Sequence, residues 1–517
     1  MLVPLLTAVP WLNPFAWGPS PAVVPLLVSG ACALALVWSA GVGRWYGTQT
    51  RDELIAGFAL GWLLAAIVSS GIGVLQYFGI SDPFSPWINT TAKGEAFANL
   101  RQRNQFASLT NIGLVALVWL AGHGRISGAW LIVAAALVAV GNAASSSRTG
   151  LLQLLLMLLL IIRWGGLKQP PALKVMWVAT LAYASATITL PLLIGLEFGG
   201  SGILGRINDG GAACSSRLIL WRNVLDLIVL KPWFGWGWGA LDYAHFVTLY
   251  PGGPDARFCE ILDNAHNLPL HLAVELGVPV ALAVCGLGAG LIVRRKPWLE
   301  QDATRQLAWS VIAVVLLHSL LEYPLWYGPF QIAFVLCAWL LTTTSVQFKP
   351  IFTTNVVKMK KAADFSSNLG ENSDRNKNFK SIYVAWAAIL TIAIFAYVTW
   401  DYHRISQIYL APKQRSDAYR DNTLAKIQGS WLFTNQVRFA ELSTTQVSSE
   451  NAARINALAH ELLRFSPEAR VVEKLIDSAT QLGREAEAQF YAMRYRAAYP
   501  QEYESWAKSR PPARPGS

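Results

Sequence analysis

Apolar runs of about twenty residues recur along this chain, separated by short polar or charged stretches, and they leave it few ways to fold. They lie near residues 3–17, 22–42, 54–78, 106–122, 128–143, 149–165, 174–196, 268–293, 306–322, 327–345 and 382–400. A helix that crosses a bilayer needs roughly 20 mostly apolar residues. In hydrocarbon the backbone must satisfy its own hydrogen bonds, which leaves helices or closed barrels. Runs of this length and continuity predict helices. The expected fold is therefore all-α, a polytopic integral membrane protein of about 10–11 spans. Composition agrees, since only 14% of residues are charged against about a quarter in soluble domains. The opening "MLVPLLTAVPWLNPFAW" has no basic n-region, so a partial or re-entrant first span is expected there rather than a cleaved signal.

The net charge of +11 does not predict a nucleic-acid surface, because the basic residues sit mostly in the short loops. Alternate loops divide unequally. One set, containing Arg44, Arg125, Arg163, Arg294, Arg295 and the basic stretch after Lys349, holds seventeen Lys and Arg; the other holds nine, spread over longer loops. The positive-inside rule makes the first set cytoplasmic. Residues 79–105 and 197–267 then face outward, into the periplasm if the membrane is a bacterial inner membrane. The predicted domains are a membrane region, 1–345, with its large periplasmic loop at 197–267; a basic, disordered cytoplasmic linker, 346–381; a last span, 382–400; and a periplasmic helical domain, 401–517. In that domain "FSPEARVVEKLIDSATQLGREAEAQFYAMRYRAAYP" reads as a helical hairpin of tetratricopeptide-like length, with Ser466 capping, Gly483 turning and Pro500 stopping it.

Five polar stretches crowd the membrane segments: "LRQRNQFAS", "SSSRTG", "SSRLILWRNVLDLI", "DNAHN" and "HSLLEYPLWY". All five fall on the outer side, which predicts one shared site. Arg101 and Arg103 read as a pair of guanidiniums without a counter-charge, suited to an anion. Arg148 and Arg217 are expected at helix starts, where the dipole disfavours a cation unless an anion binds. For Arg217 the alternative is structural: Leu218, Trp221, Leu225 and Ile228 mark an apolar stripe of a helix lying in the interface. His266, between Asn264 and Asn267 at the mouth of an apolar run, has no metal partner in the pattern. Imidazole titrates in the range that suits a general base near neutrality. His271 with Glu275, and His318 with Glu322, share helix faces four residues apart; for His271 a buried packing network is the better reading. Of five cysteines, Cys214 and Cys259 lie outside apolar runs, in one loop, where a disulfide would suit an oxidising compartment. The cysteines show no metal-ligand spacing, and no cofactor is expected. Planar guanidiniums match phosphate oxygens bidentately, so arginines with one histidine and no metal suit glycosyl transfer from a polyprenyl-diphosphate sugar.

These motifs, "RQRNQ", "SSSRTG", "AHNLPLHLAVELGVPV" and "HSLLEYPLWY", together resemble the bacterial O-antigen ligases, O-antigen polymerases and especially the PglL-type protein O-oligosaccharyltransferases. The resemblance covers roughly residues 90–345, plus a C-terminal extension. It implies metal-independent transfer of a glycan from undecaprenyl-diphosphate in the periplasm, at a multi-pass protein of the bacterial inner membrane. It implies that His266 acts on the acceptor hydroxyl and that Arg148 and Arg217 contact the diphosphate. Gln102, Arg103 and Asn104 match the branch's Gln-Arg-Asn element, and Asn267, Glu322 and Tyr323 complete the expected substrate-binding set. The resemblance also implies one or two further N-terminal spans. Three acceptors fit: Ser or Thr of a pilin-like protein, lipid A core, or a growing glycan. The C-terminal domain and "LEYPLWY" favour the first. A non-enzymatic flippase of lipid-linked sugars would also need arginines, but along a path through the bilayer, whereas here they gather on one side.

The charge asymmetry makes a direct prediction. Fusions after Gly210 and after Arg454 should be active with alkaline phosphatase and dark with a cytoplasmic fluorophore; the reverse pattern would invert the topology.

Overall fold

The computed structural model describes residues 2–45, 50–195, 213–253, 256–343 and 370–509. Among them the regular structure is helical, without a strand. The membrane region opens with α1 (Leu2–Leu12), α2 (Val23–Trp45), α3 (Arg51–Tyr77), α4 (Arg103–Gly122), α5 (Gly128–Ala144), α6 (Arg148–Arg163) and α7 (Pro170–Leu193). By length and composition α3, α4, α7 and the segment Val278–Leu299 are each able to cross a membrane; Leu2–Leu12, Val23–Ser39, Gly128–Ala144 and Gly328–Thr343 are shorter apolar helices. At the centre stands α4, with Phe106, Leu109, Ile112 and Ala116 fully buried. Small residues let its neighbours approach closely: a Cβ on Gly113 would lie 2.3 Å from that of Ala66 on α3.

After the segment 196–212, α8 (Arg217–Leu230) and α9 (Leu241–Val247) form a cap over the bundle, closed by a Cys214–Cys259 disulfide with Cα atoms 5.3 Å apart. The apolar run 268–293, expected as one helix, is two: α10 (Leu268–Leu276) and α11 (Val278–Arg295). The break is at Gly277, whose φ of 90° lies in the region that favours glycine. The loop 231–240 fills the break: Trp236 N–H donates to Val274 O (2.9 Å), Gly237 N–H to Glu275 O (2.9 Å), and Val278 N–H to Pro232 O (2.8 Å). A side chain on Gly277 would strike Trp233 O at 2.2 Å, so glycine is also a steric requirement. The bundle is completed by α12 (Ala303–Ser319) and α13 (Gly328–Thr343).

Two expected boundaries move. The apolar run 382–400, expected as the last span, is part of a 37-residue helix, α14 (Gly370–Ser406). It includes residues 370–381 of the expected disordered linker, because extending a formed helix costs far less than nucleating one; residues 346–369 of that linker lie outside the described residues. The helix also runs past Trp400, so the C-terminal domain grows directly out of the span. Asp401, fully buried, anchors it: one carboxylate oxygen takes Arg404 Nη2 (2.8 Å), the other takes Ser430 Oγ (2.9 Å).

Beyond lie α15 (Thr423–Ile427), α16 (Thr434–Thr444), α17 (Ala452–Leu463), α18 (Ala469–Gln481), α19 (Glu485–Ala498) and α20 (Pro500–Lys508). Their core is Ile455, Leu462, Val472, Leu475, Ile476 and Tyr495. The hairpin α18–α19 turns at Gly483 as expected. Ser466 does not cap it: its hydroxyl reaches Glu468, the residue at the N-cap. Pro500 ends α19 and opens α20, since a first-turn position needs no N–H donor. The domain packs on the cap, with Arg494 Nε donating to Val247 O (2.7 Å) and Phe246 beside Tyr499. Cap and C-terminal domain thus share one side of the bundle.

Asp242 sits in this joint, in a crevice shared with Arg257, Pro467 and Tyr499. Burial pushes its carboxyl up to about 7. A raised carboxyl favours the folded state least where it must ionise, so the penalty is complete above pH 7 and disappears below the ordinary value near 4. Asp242→Asn should therefore raise the thermal midpoint at pH 8, with the gain fading as pH falls to about 4; an equal effect at both would place the carboxyl in water.

Candidate functional site

The first turns of α4 and α8 and the residue before Asn267, which caps α10, meet at one carboxylate just beyond α12. Glu322 follows α12 by three residues, its N–H donating to His318 O (2.8 Å) before Pro324 redirects the chain. It therefore lies beyond the helix, and the expected shared face with His318 is replaced by two different directions. His318 points inward, its Nδ1 2.9 Å from Ser108 Oγ. Glu322 turns to the cap. Its Oε2 is 2.6 Å from His266 Nδ1, and its Oε1 takes both Arg217 and Asn104 Nδ2 (3.1 Å).

His266 is held from three sides. Its φ of 49° puts it in the left-handed region, and its N–H donates to Asn264 Oδ1 (2.8 Å). Asn267 caps α10 by accepting Leu270 N–H (3.0 Å), as side chains with a short polar arm do, and donates to Leu320 O (3.0 Å). Trp221 Nε1 donates to Ala265 O (3.1 Å). Tyr323 stands edge-on to the imidazole, ring centres 5.1 Å apart, and stacks on Tyr327. Burial would raise the Glu322 carboxyl; the hydrogen bond from His266 and the charge of Arg217 outweigh it and hold the group below the usual carboxylate range.

The expected site residues divide. His266, Asn267, Arg217, Glu322, Tyr323 and Asn104 come together. Arg148 is the first residue of α6, next to Ser147, whose hydroxyl caps that helix and donates to Asn104 Oδ1 (2.6 Å). The Arg148 side chain is exposed and makes no hydrogen bond or ion pair with a described residue. Arg217 likewise begins its helix. Gln102 is an N-cap, accepting Gln105 N–H (2.7 Å). Arg103 corrects an expectation: it is paired with Glu95, and Arg101 donates to Pro14 O, so "RQRN" is not without a counter-charge. The intervening residues fold back through Gln76, whose amide bonds Ala98, and bring Glu95 to the start of α4. His271 and Glu275 are buried 3.5 Å apart in α10, but neither ring nitrogen of His271 is hydrogen-bonded to a described residue, so the expected packing network is not formed through it.

Sequence reasoning missed the support beneath. Asn104 O accepts Ser108 Oγ (2.8 Å), Ser108 meets Gln153 Nε2 (2.8 Å), and Asn111 links Gln153 to Asn142. The signal was the lone amide in "GLLQLLLMLLL", since a polar group there demands buried partners.

Three family descriptions match this chain: "Protein glycosylation ligase" over residues 96–121, "O-Antigen ligase" over 132–285, and "Virulence factor membrane-bound polymerase, C-terminal" over 306–513. Each segment supplies part of the cluster: Asn104 from the first, Arg217, His266 and Asn267 from the second, Glu322 and Tyr323 from the third. Over these stretches the chain is similar to the O-antigen ligases and the protein glycosylation ligases. Among its curated relatives, the general O-oligosaccharyltransferase of Acinetobacter baylyi is 26% identical over 278 residues, 51% of this chain and 46% of the relative. The ComP-specific O-oligosaccharyltransferase of the same organism is 25% identical over 299 residues, 56% of this chain and 52% of the relative. The matched part of the chain thus spans about half the length of these relatives.

With Nδ1 facing Glu322, neutral His266 should carry its proton on Nδ1 and leave Nε2 free. Imidazole ¹⁵N shifts in histidine-labelled protein should show that tautomer, and Glu322→Ala should abolish the preference. An Nε2–H signal in the unsubstituted protein would contradict the arrangement.

Proposed function

We propose that this protein transfers an oligosaccharide from undecaprenyl-diphosphate to a hydroxyl of a periplasmic acceptor, namely Ser or Thr of a pilin-like protein, from the inner membrane with its site facing the periplasm. The observation that carries the reading is the Glu322 carboxylate, which takes His266 Nδ1 at 2.6 Å and Arg217 at once. That leaves His266 Nε2 to accept the acceptor's proton. The deprotonated oxygen attacks C1 of the glycan, the C1–O bond to phosphate breaks, and the electron pair leaves with the diphosphate. Arg148, with no partner among the described residues, and Arg217 receive that charge; guanidiniums do so by paired N–H donors. Stabilising the charge that develops on a leaving group commonly lowers the barrier of such a reaction more than any other single effect. The names of the curated relatives support a protein acceptor. The match to the O-antigen ligases supports lipid A core as a second reading.

The test is single-turnover transfer from labelled lipid-linked glycan to each acceptor class in turn, with folding checked by size exclusion. General base catalysis is worth about 10²–10⁴-fold, so His266→Ala should lose activity by that order while donor binding survives. His266→Gln keeps a hydrogen bond but not basicity, and near-full turnover in it would remove His266 from proton transfer. Arg148→Lys keeps charge without the fork, and transfer should fall about tenfold or more. Transfer to lipid A core alone would select the second reading.

A further inference from the structure

A helix in the aqueous cap should bury one face and show water a polar one. In the C-terminal domain α18 obeys: Val471, Val472, Leu475 and Ile476 are buried, and Arg470, Glu473, Lys474 and Asp477 lie off the core. The cap helix α8 does not. Leu220, Val224, Leu227 and Ile228 pack against Leu241, Ala244, Leu262 and Val274. Its opposite face carries Leu218, Leu225 and Val229, all exposed, with Arg222 between them. The loop that follows continues the apolar surface: Trp233, Phe234 and Trp238 are 71, 89 and 72% exposed. Beside it Lys231 Nζ lies 4.0 Å over the Trp236 ring.

The depth of this surface can be read from the bonds at the helix break. At the Gly277 break Pro232 O takes the N–H of Val278, the first residue of α11, Trp233 abuts Gly277, and Trp236 and Gly237 bond the last carbonyls of α10. From Arg295 at its basic inner end, α11 rises 18 residues, about 27 Å. The hydrocarbon core is about 30 Å thick. Val278, and the loop bonded to it, therefore stand at the outer boundary of the hydrocarbon. Moreover α11 is itself lipid-facing: of the apolar window in Val278–Leu299 only 6% is buried, and Leu282, Leu287 and Leu291 are exposed. The aromatic edge of the loop is thus continuous with a surface already in contact with acyl chains. Tryptophans at this level, with a basic residue alongside, are what a membrane interface selects.

We propose that α8 and the loop 231–240 form a shelf inserted into the outer leaflet, with Leu218, Leu225, Val229, Trp233, Phe234 and Trp238 among phospholipid acyl chains. The occupant of this face is lipid, not a protein partner. Arg217 opens α8, so the shelf sets that guanidinium near the depth of lipid phosphates. The proposal rests on the membrane-spanning assignment of α11 and is independent of the transfer chemistry.

The test uses full-length protein in vesicles of phosphatidylethanolamine and phosphatidylglycerol. Phe234 or Trp238 is replaced, one at a time, by p-benzoylphenylalanine, and Gln481, exposed on α18, serves as the control position. The replaced rings project away from the core, so folding should persist, as size exclusion would verify. After illumination, intact-mass measurement should show a phospholipid adduct at 234 and 238, at least tenfold above that at 481. Absence of lipid adducts at 234 and 238, or cross-links there to a second polypeptide, would overturn the shelf. Neither result depends on glycan transfer, so failure here and failure of the proposed activity remain separable.

Discussion

An ionised carboxylate at the end of a membrane helix is costly to bury unless charged and polar donors surround it. Glu322 meets that condition with groups from three separate segments: His266 before α10, Arg217 of α8 and Asn104 of α4. Much of the surrounding architecture serves this contact. Asn267 pins the start of α10 to Leu320, Ser147 steadies Asn104, and the disulfide confines the segment from which α8 begins. Under the proposed chemistry the same carboxylate orients the base and holds one of two arginines, while the other stays open to the donor.

The broken apolar run shows how backbone chemistry shapes the membrane boundary. Helix interruption is tolerated near lipid only where freed backbone groups find partners. Here the partners come from the loop 231–240, and contact is so close that neither Gly277 nor Gly235 could carry a side chain. One piece of loop thereby ends α10, starts α11 and continues the apolar surface of the cap. A comparable economy operates at Asp401, where a single buried carboxylate joins α14 to the C-terminal helices.

Much was legible before any coordinates. Apolar run length dictated helices because lipid offers the backbone no other donors or acceptors. Arg148 and Arg217 were recognisable as helix-start cations, and His266 as the residue between two asparagines, because caps and turns are local chemistry. What the sequence could not determine was partnership. Glu95 lies eight residues from Arg103 and Glu322 more than a hundred from Arg217, and no periodicity relates either pair. Only the packing of helices against one another brings them within bonding distance. The stripe expected on α8 is of the same kind: packing divides it, burying Ile228 in the cap core with Trp221 against it and leaving Leu218 and Leu225 exposed.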